Sequence, residues 1–291
     1  MFEGSFVAII TPFRDGQVDE AAFRNLIERQ IGSGTHGIVP CGTTGEAATL
    51  SHAEHERVVL IAVEQVNKRV PVLAGTGSNS TDEAISLTKH AKRSGADGAL
   101  LITPYYNKPT QEGLYRHFAA IAKAVDFPLV PYNVPGRTSV NMLPSTVARL
   151  AEIETIVALK EATASLTQIS DIIAQCEDRL TVLSGDDFTI LPTLAVGGKG
   201  VISVTANVAP QDIAGMINAF NAGDLARARE LHYKALPLNE AMFLETNPIP
   251  VKTAAALMGL CREEFRLPLC PMSPPNRERL QMVMKQYGLL S

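Results

Sequence analysis

The sequence predicts an α/β chain: a (β/α)8 TIM barrel with a C-terminal helical extension. Three observations lead there. Short apolar runs recur about every thirty residues, each followed by a stretch with helical periodicity. Eight such units follow one another without interruption. No Gly-x-Gly-x-x-Gly follows the first run, as it would in an open doubly wound sheet built to hold a dinucleotide.

The eight runs are Phe6–Thr11, Gly37–Gly42, Pro71–Gly75, Gly98–Thr103, Leu129–Asn133, Ile156–Glu161, Thr181–Gly185 and Gly200–Thr205. The stretches between them carry helix starts: Ser51 ahead of Glu54, Ser80 or Thr81 ahead of Asp82 and Glu83, and Thr110 ahead of Glu112. Gly34 and Gly95 are placed to end helices just before the next strand. The eighth helix, Asp212 to Ala222, completes a barrel domain over residues 1–223, near the roughly 250 residues usual for the fold. Asn221-Ala-Gly-Asp224 reads as a turn into a helical domain, 224–291, which carries helical periods and several prolines.

Composition narrows the function. The chain has 291 residues, 46% of them apolar, enough for one large core. Lys and Arg total 26 against 30 Asp and Glu, a net charge of −4 without blocks of one sign, which argues against nucleic-acid or polybasic membrane partners. The N-terminus lacks a charged segment followed by an apolar one, and no apolar run is long enough to span a bilayer. Cys41, Cys176, Cys261 and Cys270 are scattered and form no Cys-x-x-Cys, so neither a zinc site nor a disulfide framework is expected. A reduced, cytoplasmic enzyme fits these features.

In such a barrel the chemistry gathers where the strands end. The ends here read Gly42-Thr-Thr-Gly-Glu46, Tyr105-Tyr106, Tyr132-Asn-Val-Pro-Gly-Arg-Thr138, Lys160-Glu-Ala-Thr163, Ser184-Gly-Asp-Asp187 and Ile202-Ser-Val-Thr-Ala-Asn207. Lys160 stands out. Strand alternation puts Ile156, Ala158 and Lys160 on one face and Val157 and Leu159 on the other. A buried ammonium is costly, so Lys160 either bridges to a carboxylate at the strand mouth or serves as a desolvated amine that forms a Schiff base with a carbonyl. Half-neutrality at pH 7 needs a fall of roughly 3.4 units from about 10.4, and less suffices if a neighbour takes the proton. Tyr132 ends the adjacent strand, about 4.8 Å away, within reach of the Lys160 head group.

A phenol near pKa 10 is a poor base until something polarises it. Thr43 can both accept and donate through one hydroxyl, and Tyr106 can extend that relay or equally be a core tyrosine with its hydroxyl at the rim. The glycines around Thr43 and Thr44 allow an anion nest, or simply a tight turn. Arg137 offers a planar fork for a carboxylate, or a surface salt bridge. His52 and His55 lie three apart without His-Glu-x-x-His, Asp186-Asp187 lacks a third carboxylate, and Ser184 and Ser203 lack a nucleophile elbow; neither metal ligation nor serine hydrolysis is expected.

The motifs Gly42-Thr-Thr-Gly-Glu-Ala47, Pro104-Tyr-Tyr-Asn107, Tyr132 to Thr138, Lys160-Glu-Ala-Thr163, Leu183-Ser-Gly-Asp186 and Gly200-Val-Ile-Ser-Val204 together mark a resemblance. It runs from Gly4-Ser-Phe-Val-Ala-Ile-Ile-Thr-Pro12 through Asn247-Pro-Ile-Pro-Val-Lys252. The chain resembles the dihydrodipicolinate synthase family of pyruvate-dependent Schiff-base aldolases and lyases. That resemblance implies condensation of pyruvate with L-aspartate 4-semialdehyde in lysine and diaminopimelate biosynthesis, with no metal or organic cofactor. It matches Lys160 to the imine-forming lysine, Tyr132 to the acid/base tyrosine, and Thr43 and Tyr106 to the rest of the relay. Tyr106 would enter from the neighbouring subunit of a tight dimer, and a homotetramer built of two such dimers is implied. Thr44, Gly185 and Ile202 match contacts to the keto acid, and Arg137 matches the clamp on the aldehyde substrate's carboxylate.

Ala48, His52, His55, Asn79, Glu83 and Tyr105 match positions that bind inhibitory L-lysine in feedback-sensitive members. Two departures stand out: Ala47, where many sensitive members carry serine, and Pro131, which has no N–H for the sheet and is expected to bend the fifth strand just before Tyr132. The alternatives are another class I pyruvate aldolase, of the N-acetylneuraminate lyase or 2-keto-3-deoxygluconate aldolase type, and a non-catalytic barrel that senses a keto acid or lysine.

Overall fold

Eight parallel strands close on themselves in the computed structural model, which describes residues 2–291. They are β1 (Gly4–Ala8), β2 (Gly37–Val39), β3 (Leu73–Gly75), β4 (Gly98–Ile102), β5 (Leu129–Asn133), β6 (Ala158–Glu161), β7 (Thr181–Ser184) and β8 (Gly200–Ser203). β8 returns to pair with β1, and a bridge between Ile38 and Val72 joins β2 to β3, so the sheet has no open edge. The fold is the expected (β/α)8 barrel. Most strands stop one to three residues short of the apolar runs, because pairing ends as the chains diverge into the loops at the barrel mouth.

Inward side chains (Phe6, Ala8, Val39, Leu73, Leu100, Val130, Ala158, Leu183 and Ile202) form one buried cluster, closed at the N-terminal end by Phe2 against Phe6. A larger apolar layer lies between the sheet and helices α1 (Glu20–Gly32), α2 (His52–Val66), α3 (Thr81–Ser94), α4 (Gln111–Ala124), α5 (Pro144–Leu150), α6 (Leu166–Cys176), α7 (Ile190–Ala195) and α8 (Pro210–Asn221). Their ends follow local chemistry. Ser51 and Glu54 form a reciprocal capping box on α2, Ser80 rather than Thr81 caps α3, and Thr110 caps α4. Helix α8 starts at Pro210, earlier than Asp212, since proline suits a first helical position. A hairpin of Phe13–Arg14 with Gln17–Val18, turning at Asp15-Gly16, was not anticipated, although Asp-Gly is the usual signal for such a turn.

Pro131 does disturb the sheet, but the adjustment falls on β6. Leu129 pairs with Ile156 and Tyr132 with Lys160, so two residues of β5 face three of the partner chain. Leu129 and Asn133 both exchange bonds with that partner, and alternation turns the nitrogen of Pro131 the same way, where it has no hydrogen to donate. The extra residue is a bulge. It corrects the expected facing: Val157 and Ala158 both pack on the inner cluster, while Ile156 joins Leu159 in the outer layer. Lys160 still points inward.

Past Gly223, Asp224 caps α9 (Leu225–Ala241), which runs back along α8; α10 (Ile249–Leu257) and α11 (Pro274–Tyr287) follow. The start of α10 lies over the barrel mouth, where Asn247 and Lys252 touch the loop after β2.

Candidate active site

A cavity of about 560 Å3 opens at the C-terminal ends of the strands, and Thr43, Thr44, Tyr132, Arg137, Lys160 and Gly185 line it. Lys160 comes from β6, 5% exposed, with Nζ 4.1 Å from the centre of the Tyr132 ring on β5. The sheet register makes these two residues direct neighbours. The amine joins no ion pair among the described residues, so the carboxylate bridge that strand-end burial also allowed is not made. Burial pulls Lys160 down to about 8, against the raising fields of Asp186 and Asp187 and helped by Arg137. About a tenth of it is therefore neutral at pH 7. Burial also pushes the Tyr132 phenol well above its ordinary value, which makes it a proton donor at rest.

Two carboxylates shape this field. Asp186 lines the cavity and is lifted by burial to about 6, opposed by the Lys160 charge. Asp187 is fully buried and accepts from the N–H groups of Val204 (2.9 Å) and Thr205 (3.1 Å) and from the Ser203 hydroxyl. Ser203 thus has an aspartate partner in space that its sequence context did not reveal. It lies deep in the barrel and no histidine is bonded to it, so it is no hydrolase nucleophile. Gly185 is required where it stands: a Cβ there would lie 2.5 Å from the Ala162 methyl and 3.1 Å from Cε of Lys160.

Opposite Lys160, the loop after β2 makes a tight turn in which Gly45 and Glu46 donate to the carbonyls of Gly42 and Thr43. The N–H groups of Thr43 and Thr44 make no backbone bond among the described residues, as an anion nest requires. Gly75 lets this loop approach, since a Cβ there would lie 2.1 Å from the Cys41 carbonyl oxygen. Glu46 is in the left-handed region (φ +54), a conformation that costs a side-chain-bearing residue about 1 kcal/mol or more. Its carboxylate meets Lys252 Nζ at 2.5 Å, with both side chains wholly buried. Arg137 projects from a single helical turn, Pro135–Thr138, and donates to the Asn247 carbonyl at 3.0 Å. It forms no salt bridge among the described residues, and it lines the cavity. Asn247 in turn donates to Thr44 Oγ1 at 3.0 Å.

Not every expected residue gathers here. Tyr106 is 90% exposed on a loop with φ +71 and does not line its own chain's cavity. No hydrogen bond joins Tyr132 to Thr43, although both line the cavity. The Ile202 side chain packs in the inner cluster below the cavity floor. The same cavity is also lined by Ala48, His52, His55, Glu83 and Tyr105. There His52 pairs with Glu83 at 2.8 Å, and His55 bonds the Gly75 carbonyl at 2.8 Å. Asn79 lies outside that lining and accepts from Asn107 Nδ2 through its carbonyl.

Residues 1–287 match the Dihydrodipicolinate synthetase family. The chain belongs to that family. A 4-hydroxy-tetrahydrodipicolinate synthase of Syntrophobacter fumaroxidans is 67% identical over the full length of both chains. The chloride-inhibited dihydrodipicolinate synthase of Acinetobacter baumannii, complexed with pyruvate, superposes with a TM-score of 0.98 at 48% identity, each chain fully covered. A dihydrodipicolinate synthase of Cyanidioschyzon merolae with lysine bound superposes with a TM-score of 0.96 at 40% identity, over 99% of each chain. The match to the dihydrodipicolinate synthetase family runs through α10 and α11, so Asn247 and Lys252 lie inside the family's span. Sequence reasoning passed over both as site residues. The one signal was a lysine inside the mostly apolar Ile249-Pro-Val-Lys-Thr-Ala-Ala-Ala-Leu257.

Proposed function

We propose that the chain is a class I lyase that condenses pyruvate with L-aspartate 4-semialdehyde, the 4-hydroxy-tetrahydrodipicolinate synthase reaction of lysine and diaminopimelate biosynthesis. The observation that carries this reading is an uncompensated amine, Lys160, buried against Tyr132 in a cavity that also holds Thr43, Thr44 and Arg137. The neutral amine adds to the pyruvate carbonyl, and Tyr132 protonates the departing hydroxyl so that water leaves and a protonated imine remains. The iminium draws electrons from the methyl group, which loses a proton to the Tyr132 phenolate to give an enamine. The enamine carbon attacks the semialdehyde carbonyl, and Tyr132 returns a proton to the new alkoxide. The substrate's own amine then displaces Lys160 as the ring closes.

Thr44 and Gly185, with the main chain of Ile202, receive the keto acid, and Arg137 receives the semialdehyde carboxylate. Thr43 passes protons to and from Tyr132, and Tyr106 of a second copy completes the relay. The exposure of Tyr106 away from its own cavity supports that exchange within a tight dimer, and two such dimers are proposed to pair as a homotetramer. The catalytic unit is assigned to residues 1–223 and the helical domain to 224–291. L-Lysine is proposed to bind between Glu83, the histidines, Ala48 and Tyr105, with Asn79 at the rim; the lysine-bound relative supports this. Ala47 weakens that inhibition by lacking a hydroxyl. A cytoplasmic location suits the chemistry, and no described helix is long and apolar enough to cross a membrane.

Borohydride reduction in the presence of pyruvate, followed by peptide mass spectrometry, tests the core of this reading: a pyruvate-derived adduct on Lys160 is expected, and label elsewhere or none overturns it. Condensation with aspartate semialdehyde, compared in parallel with cleavage of N-acetylneuraminate and of 2-keto-3-deoxygluconate, separates this reading from the other pyruvate aldolases.

A further inference from the structure

We infer that the buried pair Glu46–Lys252 is a positioning device for the pyruvate site, which makes α10 of the helical extension a working part of the barrel mouth. The inference rests on the reading of the cavity given above. Glu46 follows the Thr43–Thr44 turn directly, and its N–H donates to the Thr43 carbonyl at 3.1 Å. Wherever the Glu46 carboxylate is held, the turn is held. One oxygen takes Lys252 Nζ at 2.5 Å and the other takes the Arg266 N–H at 3.3 Å. The ammonium also lies 3.9 Å from the centre of the Phe13 ring, so it has little freedom to follow a moving loop.

The same segment touches the turn a second time. Asn247, just ahead of α10, bonds Thr44 Oγ1 at 3.0 Å, and its carbonyl receives Arg137. Helix α10 and the residue leading into it therefore grip the loop, Lys252 at Glu46 and Asn247 at Thr44, and Asn247 also holds Arg137. A wholly buried ion pair is seldom the most stabilising filling for such a space, since apolar residues of equal volume do as well or better. What the pair adds is direction. A charged bond tolerates little displacement, and it opposes the relaxation of a left-handed Glu46 whose turn presents two N–H groups to an anion.

Two variants test this, E46D and E46Q/K252M, by thermal unfolding, steady-state kinetics in both substrates and borohydride trapping. E46D keeps both charges but shortens the tether by one methylene. The double variant removes both charges together and leaves neither unpaired. In each, the pyruvate KM is expected to rise about tenfold while the semialdehyde KM stays within about twofold, and trapping at saturating pyruvate still labels Lys160. A pyruvate KM within about twofold of the parent in either folded variant overturns the inference, whatever happens to Tm. Failure of both variants to fold overturns it too, because the pair is then a requirement of the fold. Absence of an adduct in the parent removes the reading of the cavity, whereas a parental adduct with unchanged variant KM removes only the positioning role.

Discussion

Two lysines are buried near the mouth of this barrel, and their surroundings differ in one respect. Lys252 on α10 meets the Glu46 carboxylate at 2.5 Å and two aromatic faces. Lys160 on β6 lies over the Tyr132 ring, feels the fields of Asp186, Asp187 and Arg137, and joins no ion pair among the described residues. Burial pulls both down, but for Lys252 the adjacent carboxylate opposes it through a direct bond. Burial alone therefore does not make an amine reactive. The missing counter-ion does, because it leaves the neutral form within easy reach and nothing to break before the nitrogen attacks.

The contrast can be broken most severely at Lys160. Replacement by arginine keeps the charge but cannot form an imine, so turnover should fall by about 10^4-fold or more and the pyruvate adduct should vanish, with the circular dichroism unchanged. Retained turnover ends the assignment. Tyr132→Phe should lower kcat by about 10^2- to 10^4-fold, read in steady-state assays, since it removes the hydroxyl that is proposed to shuttle protons beside the amine.

The two lysines should also separate in stability. Lys252→Met strands the Glu46 charge and should cost about 3–5 kcal/mol in thermal or urea unfolding. Lys160→Met removes an uncompensated ammonium and should raise stability at pH 7, by at most about 3 kcal/mol. The sign follows from the depressed pKa. Between about 8 and about 10.4 the unfolded chain binds more protons than the folded one, so the parent gains stability as pH rises and its gap to Lys160→Met closes. A gap that stays constant or widens over that range shows that Lys160 is not depressed. The smallest effect is expected at the far end of the cavity. L-Lysine at millimolar concentrations should inhibit, and Glu83→Gln should weaken inhibition about tenfold while leaving uninhibited kcat within about twofold.

Much of the barrel was readable because its signals are local. Leu129–Asn133 was bounded correctly, and Ser51, Thr110 and Gly95 end helices as their chemistry requires. The reading failed where a local rule met a neighbour. Simple alternation misplaced Ile156, because Pro131 on the adjacent strand forces an extra residue into the ladder. Lys160, Tyr132, Thr43 and Arg137 stood out because they sit in or just after strand ends, where polar groups converge in this fold, whereas the roles given to Thr44 and Gly185 came only with the family resemblance; all six line the cavity. Asn247 and Lys252 were not, since their partners Thr44 and Glu46 lie about two hundred residues away in sequence. Tyr106 was read alternatively as a rim-facing core residue, and its near-complete exposure is invisible to any pattern within one chain.

The unbroken cavity from Lys160 to Glu83 has a bearing on inhibitor design. An α-keto acid capable of capturing the amine, joined by a short spacer to a cationic head group, would engage both extremes with a single molecule. Such a tethered compound gives up its rotational and translational freedom only once, so each half raises the effective concentration of the other. Its selectivity over simple pyruvate mimics would come from the spacing between the two ends.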